Sequence, residues 1–566
     1  MKAEVTLAAR FEGMDRSVPV WVTAALVLAF LVLLPLGWLA WVSVSSEHGA
    51  TLGHYGKVFA DSQFQKALWQ TLILAFWVGL SSLAVGVPTA WLVARTDLPG
   101  TRLIRGLMLA SFVTPPFLGA FAWVMLAGPN AGLLNKLYRG ITGGDAPLVN
   151  IFGMPGLIFV VTLYTFPYVF IMIANTLELI ASDLEEAASL LGADRLRVAL
   201  TVTLPMVAPA IVSGFILAVL QALALFGSPA ILALPAGFHT ITTQIWALFH
   251  YPPKVEMAAA FSIPLLLATA LLLLAQRTLL GRRGYASVGG KGGQRRKIRL
   301  GFWRYPALGG CLAVMACSIF LPYGILAKAA LSRAWAQPLS WENFTLANFR
   351  FTFFQYSSTQ AAILNTLELG VLTACAGAGL AALLAYVANR RLILGHQFLA
   401  FLALAPVVIP GVVLAVGLFI AYARPPLLLY GTLWILFVAY LTKEMPVGYA
   451  QSDATFRGIH PELEEAGRIL GAGRLRVLRE ITAPLARSGV IATWCFIFIG
   501  VIRELSASII LFTPGTKVMS VVIFDLKEEG QFGAIAVLGL FMLAMTFATV
   551  VLVQTVLGRD FLGAKE

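Results

Sequence analysis

A succession of apolar runs, each long enough to cross about 30 Å of hydrocarbon as a helix, governs what this chain can fold into. They fall at roughly 19–44, 68–94, 104–127, 155–178, 207–234 and 256–279, and again at 305–331, 363–388, 397–422, 428–452, 487–512 and 533–557. Of the 566 residues 59% are hydrophobic and 12% charged. A soluble protein would carry about a quarter charged residues. The expectation is an all-α polytopic membrane protein with about twelve transmembrane helices in two parallel six-helix repeats.

The halves match in detail. LEEAASLLGADRLRVALTVTLP, Leu184 to Pro205, returns 279 positions later as LEEAGRILGAGRLRVLREITAP, Leu463 to Pro484. Gln70, Thr71 and Leu72 correspond to Asn365, Thr366 and Leu367, and Pro115 to Pro410, at an offset of 295, while Pro167 matches Pro446 at 279. The sixteen-residue difference falls in the loop around 128–154, where insertion is tolerated. An even number of spans in each half gives both repeats one orientation, related by an axis along the membrane normal.

The repeated segments are polar islands in an apolar chain. Ser182 and Glu185 stand three apart as a capping box, and Pro461 takes the place of a first helical residue. Gly192 and Gly471 then end one short helix and hinge it to a second.

Glu186, Ala187, Ala188, Gly192, Val202, Leu204 and Pro205 resemble the EAA loop of permease subunits of binding-protein-dependent ABC importers. Glu465, Ala466, Gly467, Gly471, Ile481 and Pro484 resemble it again, with departures at Gly467 and Ala483, where that family has Ala and Leu. The resemblance implies the MetI-like type I importer fold, with a first transmembrane domain over 1–280, a basic cytoplasmic linker over 281–303 and a second domain over 304–566. It implies that both segments are coupling helices seated in grooves of ATPase subunits. Glu186, Ala187, Gly192 and Arg195 are then the coupling residues of one segment, and Glu465, Ala466, Gly471 and Arg474 those of the other. It also implies two ATP-binding subunits that carry ATP and Mg, one periplasmic or lipid-anchored substrate-binding protein, and no cofactor on this chain. The two-half layout, with FGSPAILALPAG from Phe226 to Gly237 matched by ELSASIILFTPG from Glu504 to Gly515, is similar to the ferric-iron branch. Iron(III) is therefore the expected cargo, although permeases for aminoalkylphosphonates, thiamine, sulfate and polyamines are built alike. A self-sufficient secondary transporter is the alternative from another class, and it would need buried carboxylates in both halves.

The net charge of +13 sits in short loops rather than in a continuous stripe, which fits positive-inside topology and membrane lipid instead of nucleic acid. Arg95, Arg102 and Arg105, and the first coupling segment, then lie on the side of the N-terminus. The expected location is the bacterial inner membrane with both termini cytoplasmic. The basic stretch from Arg277 to Arg304 reads as a flexible linker and topology signal. No phosphate-binding G-x-x-x-x-G-K-[ST] loop occurs, so ATP hydrolysis is expected of another chain, and no catalytic residues are assigned. Cys311, Cys317, Cys375 and Cys495 lie in apolar runs without metal-site spacing, and His48, His54, His239 and His250 are scattered, so no metal site is expected.

Two features invite either a structural or a transport role. Pro115, Pro116, Pro167, Pro406, Pro410 and Pro446 lie inside spans, as packing kinks or as gates. Arg503 and Glu504 lie in the eleventh span, where each charge facing lipid would cost about 2.5–3.5 kcal/mol. They form a salt bridge to another span or a part of the translocation pathway.

Overall fold

The computed structural model describes residues 18–46, 49–180, 183–250, 252–280, 297–393 and 395–557. In lipid every peptide group must find its partner inside its own segment, so the apolar runs become helices. Among the described residues nine helices are long and apolar enough to cross a membrane, or up to 11 spans if two bent pairs are counted. The bent pairs are Thr101–Val113 with Pro116–Ala127, at 98°, and His396–Val408 with Gly411–Tyr422, at 109°. The remaining expected span is the helix Leu433–Arg457, whose apolar character is diluted by Lys443 and Glu444 near its middle.

The bends have a local cause. A residue preceding proline is pushed out of the helical region, and proline itself has no N–H to continue the ladder. Thr114 before Pro115 has ψ 129°, and Ile409 before Pro410 has ψ 109°. Pro167 and Pro446, by contrast, lie inside the continuous helices Met154–Leu179 and Leu433–Arg457.

The fifth and eleventh runs are shorter as helices than their apolar stretches. Leu204–Ala224 and Ala483–Ile502 stop early, and the short helices Gly227–Leu232 and Ser508–Leu511 follow after a break. Hydroxyl groups satisfy the freed backbone in the same way in both halves. Thr71 Oγ1 accepts from the amide of Ile241 at 2.9 Å, and Thr366 Oγ1 from that of Met519 at 2.9 Å. Thr242 Oγ1 donates to the carbonyl of Leu225 at 2.8 Å, and Ser520 Oγ to that of Glu504 at 2.5 Å.

Contacts divide the chain into two compact units. One gathers the residues up to Val42, Ser357–Val522 and the chain from Ala544 onward, around the packed helices Ser357–Asn389, Leu433–Arg457 and Ala483–Ile502. The other gathers Ser43–Tyr356 and Ile523–Leu543, around Ser62–Arg95, Met154–Leu179 and Leu204–Ala224. The first helix of the chain, Val18–Val44, is thus grouped almost entirely with residues of the second half, and the opening helix of the second half, Arg304–Met315, with residues of the first. Residues 281–296, most of the expected linker, lie outside the described residues, as do His48 and Ser182.

Candidate functional site

Both polar segments fold alike. The helices Asp183–Leu190 and Pro461–Ile469 each reach a glycine turn, and Pro461 is the first helical residue as expected. One-turn helices Arg195–Val198 and Arg474–Val477 follow, then π-turns Ala199–Thr203 and Leu478–Thr482 that run into the long helices of the fifth and eleventh spans. Gly192 has φ +86° and Gly471 φ +84°, the left-handed geometry that closes a helix by bonding back onto its last carbonyls. Gly192 N donates to Ser189 O at 3.0 Å and Ala193 N to Ala188 O at 3.1 Å. In the second segment Gly471 N donates to Arg468 O at 3.0 Å and Ala472 N to Gly467 O at 3.2 Å.

The glutamate before each expected coupling glutamate is turned inward and clamped. Glu185 Oε1 accepts from Arg95 Nη2 at 3.0 Å and from Thr203 Oγ1 at 2.7 Å. Glu464 Oε1 accepts from Arg390 Nε at 3.0 Å and Nη2 at 2.9 Å, and its Oε2 accepts from Tyr386 OH at 3.2 Å. Arg390 Nη2 also donates to the carbonyl of Ile459 at 3.0 Å, so the arginine ties the start of its segment to the preceding span. Sequence reasoning missed this clamp and gave Glu185 to a capping box with Ser182. The available signal was the offset of 295 between Arg95 and Arg390, the same as between Thr71 and Thr366.

With those carboxylates facing in, the expected coupling residues face out. Glu186, Ala187, Glu465 and Ala466 are exposed, Arg474 is half-buried, and the side chain of Arg195 lies outside the described residues. At the tip of each segment, just before the glycine, stand two aliphatic residues that sequence reasoning did not single out. Leu190 and Leu191 are 88% and 89% exposed, and Ile469 and Leu470 are 85% and 88% exposed.

The family described as "Binding-protein-dependent transport system inner membrane component" matches residues 86–283 and again 377–559, so that each match contains one of these segments. The chain belongs to that family. Its relatives include the ferric transport system permease protein FbpB of Actinobacillus pleuropneumoniae, 24% identical over 520 residues, which are 89% of this chain and 74% of that protein. The Fe(3+)-transport system permease protein FbpB 2 of Haemophilus influenzae is 24% identical over 536 residues, 92% of this chain and 95% of that protein. A solved bacterial ABC transporter that imports the acidic polysaccharide alginate aligns with 48% of this chain and 97% of its own, at 19% identity and a TM-score of 0.41.

In this permease the pair Arg503 and Glu504 does not lie within a helix. Ala483–Ile502 ends at the preceding residue, Arg503 is its cap, and Glu504 opens the break. The carboxylate of Glu504 accepts from the Lys443 ammonium and, at 2.8 Å, from the amide of Ala507 near the restart of the helix. The Lys443 ammonium is packed close to Gly411, the first residue of the helix after the ninth-span bend. Glu444, next to Lys443, packs over Gly500 so closely that a Cβ there would overlap its carboxylate. Four charged residues therefore converge in one unit where the sequence reading counted two. Lys443 and Glu444 escaped it because a strongly apolar flank, LWILFVAYL, makes their run read as an ordinary span. The matching positions of the first half are Tyr164, Thr165, Ala224 and Leu225, all uncharged.

The scattered histidines have ordinary surroundings. His54 Nε2 lies 3.0 Å from the carbonyl of Ser45, and His250 meets Trp246 edge-on at 4.4 Å. Burial holds the imidazole of His239 below its usual pKa. Among the described residues no three His, Cys, Asp or Glu side chains come together as metal ligands. Cys311 and Cys495 are buried, Cys375 is exposed, and all four thiols are free.

Proposed function

We propose that this chain is the membrane subunit of an ATP-driven importer and that its two coupling segments seat on two ATPase subunits. The observation that carries the reading is the pair of bare aliphatic tips, Leu190 with Leu191 and Ile469 with Leu470, each 85% or more exposed at the end of a polar segment. Water-exposed aliphatic pairs held beside a rigid turn are what a partner's apolar groove would cover, and their repetition calls for two such partners. The clamps of Glu185 and Glu464 supply the rigidity that transmission of force needs, since each fixes a segment to the end of a span. ATP and Mg belong to the ATPase subunits, both termini to the cytoplasm, and substrate arrives from a separate binding protein on the opposite side. The sequence domains 1–280 and 304–566 are the duplicated unit of this reading.

Iron(III) is the proposed cargo, supported by the relatives named as ferric permeases along most of the chain. Arg503 and Glu504, with Lys443 and Glu444, form the proposed charged station of the passage. The test is reconstitution of the permease in liposomes with its ATPase and binding protein, followed by uptake of labelled iron(III) in competition with phosphonate, sulfate and polyamine. In parallel, Leu191→Asp with Leu470→Asp is expected to abolish co-purification of the ATPase at unchanged amounts of permease. Retention of the ATPase by that double variant would overturn the docking assignment, and uptake of another solute in place of iron would overturn the cargo.

A further inference from the structure

The first coupling segment is braced by a piece of chain that has no equivalent at the second among the described residues. Arg95 is the last residue of the helix Ser62–Arg95, where carbonyls lack intrahelical partners. The chain then continues through Thr96, fully buried and extended at φ −119° and ψ 168°. Ile298, from the far end of the inter-half connection, lies alongside it as a parallel bridge. Ile298 N donates to the Arg95 carbonyl at 2.8 Å, Asp97 N donates to the Ile298 carbonyl at 3.1 Å, and Leu300 N donates to Asp97 Oδ1 at 2.8 Å. Leu300 also packs against the apolar cluster that holds Leu98, Leu177 and Ile180, which lead into the coupling segment.

At the second segment the helix closes on itself. Arg390 N donates to Tyr386 O at 3.0 Å, Leu392 N to Val387 O at 3.1 Å, and Arg391 takes φ +50°. The Arg390 side chain adds its own bond to the Ile459 carbonyl. There the clamp arginine is fixed by its own turn; at the first segment the backbone of Arg95 is fixed by Ile298.

We infer that Ile298 and Asp97 are positioning residues for coupling: they hold Arg95, and through it Glu185, so that the stretch joining the two halves works as a brace for the first coupling segment. The inference rests on the coupling role proposed above. A fused chain thereby gains a fixed relation between its seventh span, which starts from Leu300 onward, and the clamp at the end of its second.

Amide exchange on the full-length permease, alone and with its ATPase, tests this. Ile298→Pro removes a donor and Asp97→Leu an acceptor, while Asp97→Asn keeps an acceptor oxygen. Exchange over 183–203 is expected to quicken about fivefold in Ile298→Pro and Asp97→Leu, the factor for losing about one hydrogen bond, with 461–482 unchanged and Asp97→Asn like the parent. Substrate transported per ATP hydrolysed is expected to fall in the same two variants and to recover in Asp97→Asn. Unchanged exchange over 183–203 in Asp97→Leu, or equal quickening in both segments, overturns the brace. If the parent chain shows no slowing in either segment when ATPase is added, the coupling reading fails, while the brace is still read from the permease alone.

Discussion

The ammonium of Lys443 and the carboxylate of Glu504 form an ion pair between the tenth span and the break that follows Ala483–Ile502, with side chains only 26% and 8% exposed. Removing one partner strands the other, whereas removing both leaves neither member of the pair as an uncompensated charge. Lys443→Met is therefore expected to destabilise the permease by about 3 kcal/mol. Lys443→Met with Glu504→Gln should cost about 1–2 kcal/mol less than the sum of the two single changes. Thermal unfolding in detergent over the full mutant cycle reads this, and additive losses would show that the two groups do not interact.

Arg390 grips Glu464 with two nitrogens and holds the Ile459 carbonyl as well. Arg390→Ala leaves a carboxylate that is 7% exposed without its cation, and a local loss of about 3 kcal/mol is expected, seen as faster amide exchange over 461–482. Arg390→Lys should recover only part of it, because an ammonium cannot reproduce the planar fork. Full recovery by lysine would show that charge alone sets the clamp.

No atom lies within 4 Å of a Cβ added at Gly192 or Gly471, so the cost of a side chain there is purely that of left-handed backbone. Alanine at either position should cost about 1–2 kcal/mol locally, and asparagine less. The expected readout is weaker retention of the ATPase by Gly471→Ala than by Gly471→Asn, at equal amounts of permease in the membrane. Equal retention would mean that the turn tolerates distortion and that the tips need no fixed geometry.

His239 is half-buried, and its Nδ1 has no hydrogen-bond partner among the described residues. Burial lowers its folded pKa from the usual value of about 6.5, so the folded state disfavours the protonated ring. Stability from this site is complete above the unfolded value and declines as pH falls below it through the lower folded value. The unfolding midpoint of the parent should therefore drop more between about pH 7.5 and pH 5 than that of His239→Gln. Equal drops would assign the acid sensitivity to other groups.

The two repeated polar segments were legible because their signals are local: an acidic helix start, a glycine where the helix must close, and a second copy at a fixed offset. Their energetics were less so. Glu185 and Glu186 are neighbours in one polar run, and only the fold shows that Arg95 draws the first inward while the second faces out. Proline marked the bends but could not say which would break, since Pro446 is carried inside a continuous helix while Pro410 stands at a break and caps the helix that follows. The breaks before the short helices at Gly227 and Ser508 were hidden because hydroxyls of Thr242 and Ser520, 17 and 16 residues further on, satisfy the carbonyls of Leu225 and Glu504. Lys443 was hidden by its apolar flank, although its partner Glu504 had already been noticed.

The placement of Val18–Val44 with residues of the second half sets a timetable for biosynthesis. Pro35 and Gly417 touch, a Cβ at Gly417 falling 2.9 Å from the Pro35 carbonyl oxygen, yet they are 382 residues apart in the chain. At a synthesis rate of about 5–20 residues per second the helix enters the bilayer on the order of 20–80 s before its neighbour has been made. During that interval the face of the helix that meets Gly417 is without that neighbour. A helix made early is therefore packed late, and a ribosome that stalls between the two halves leaves it without its seat at Gly417.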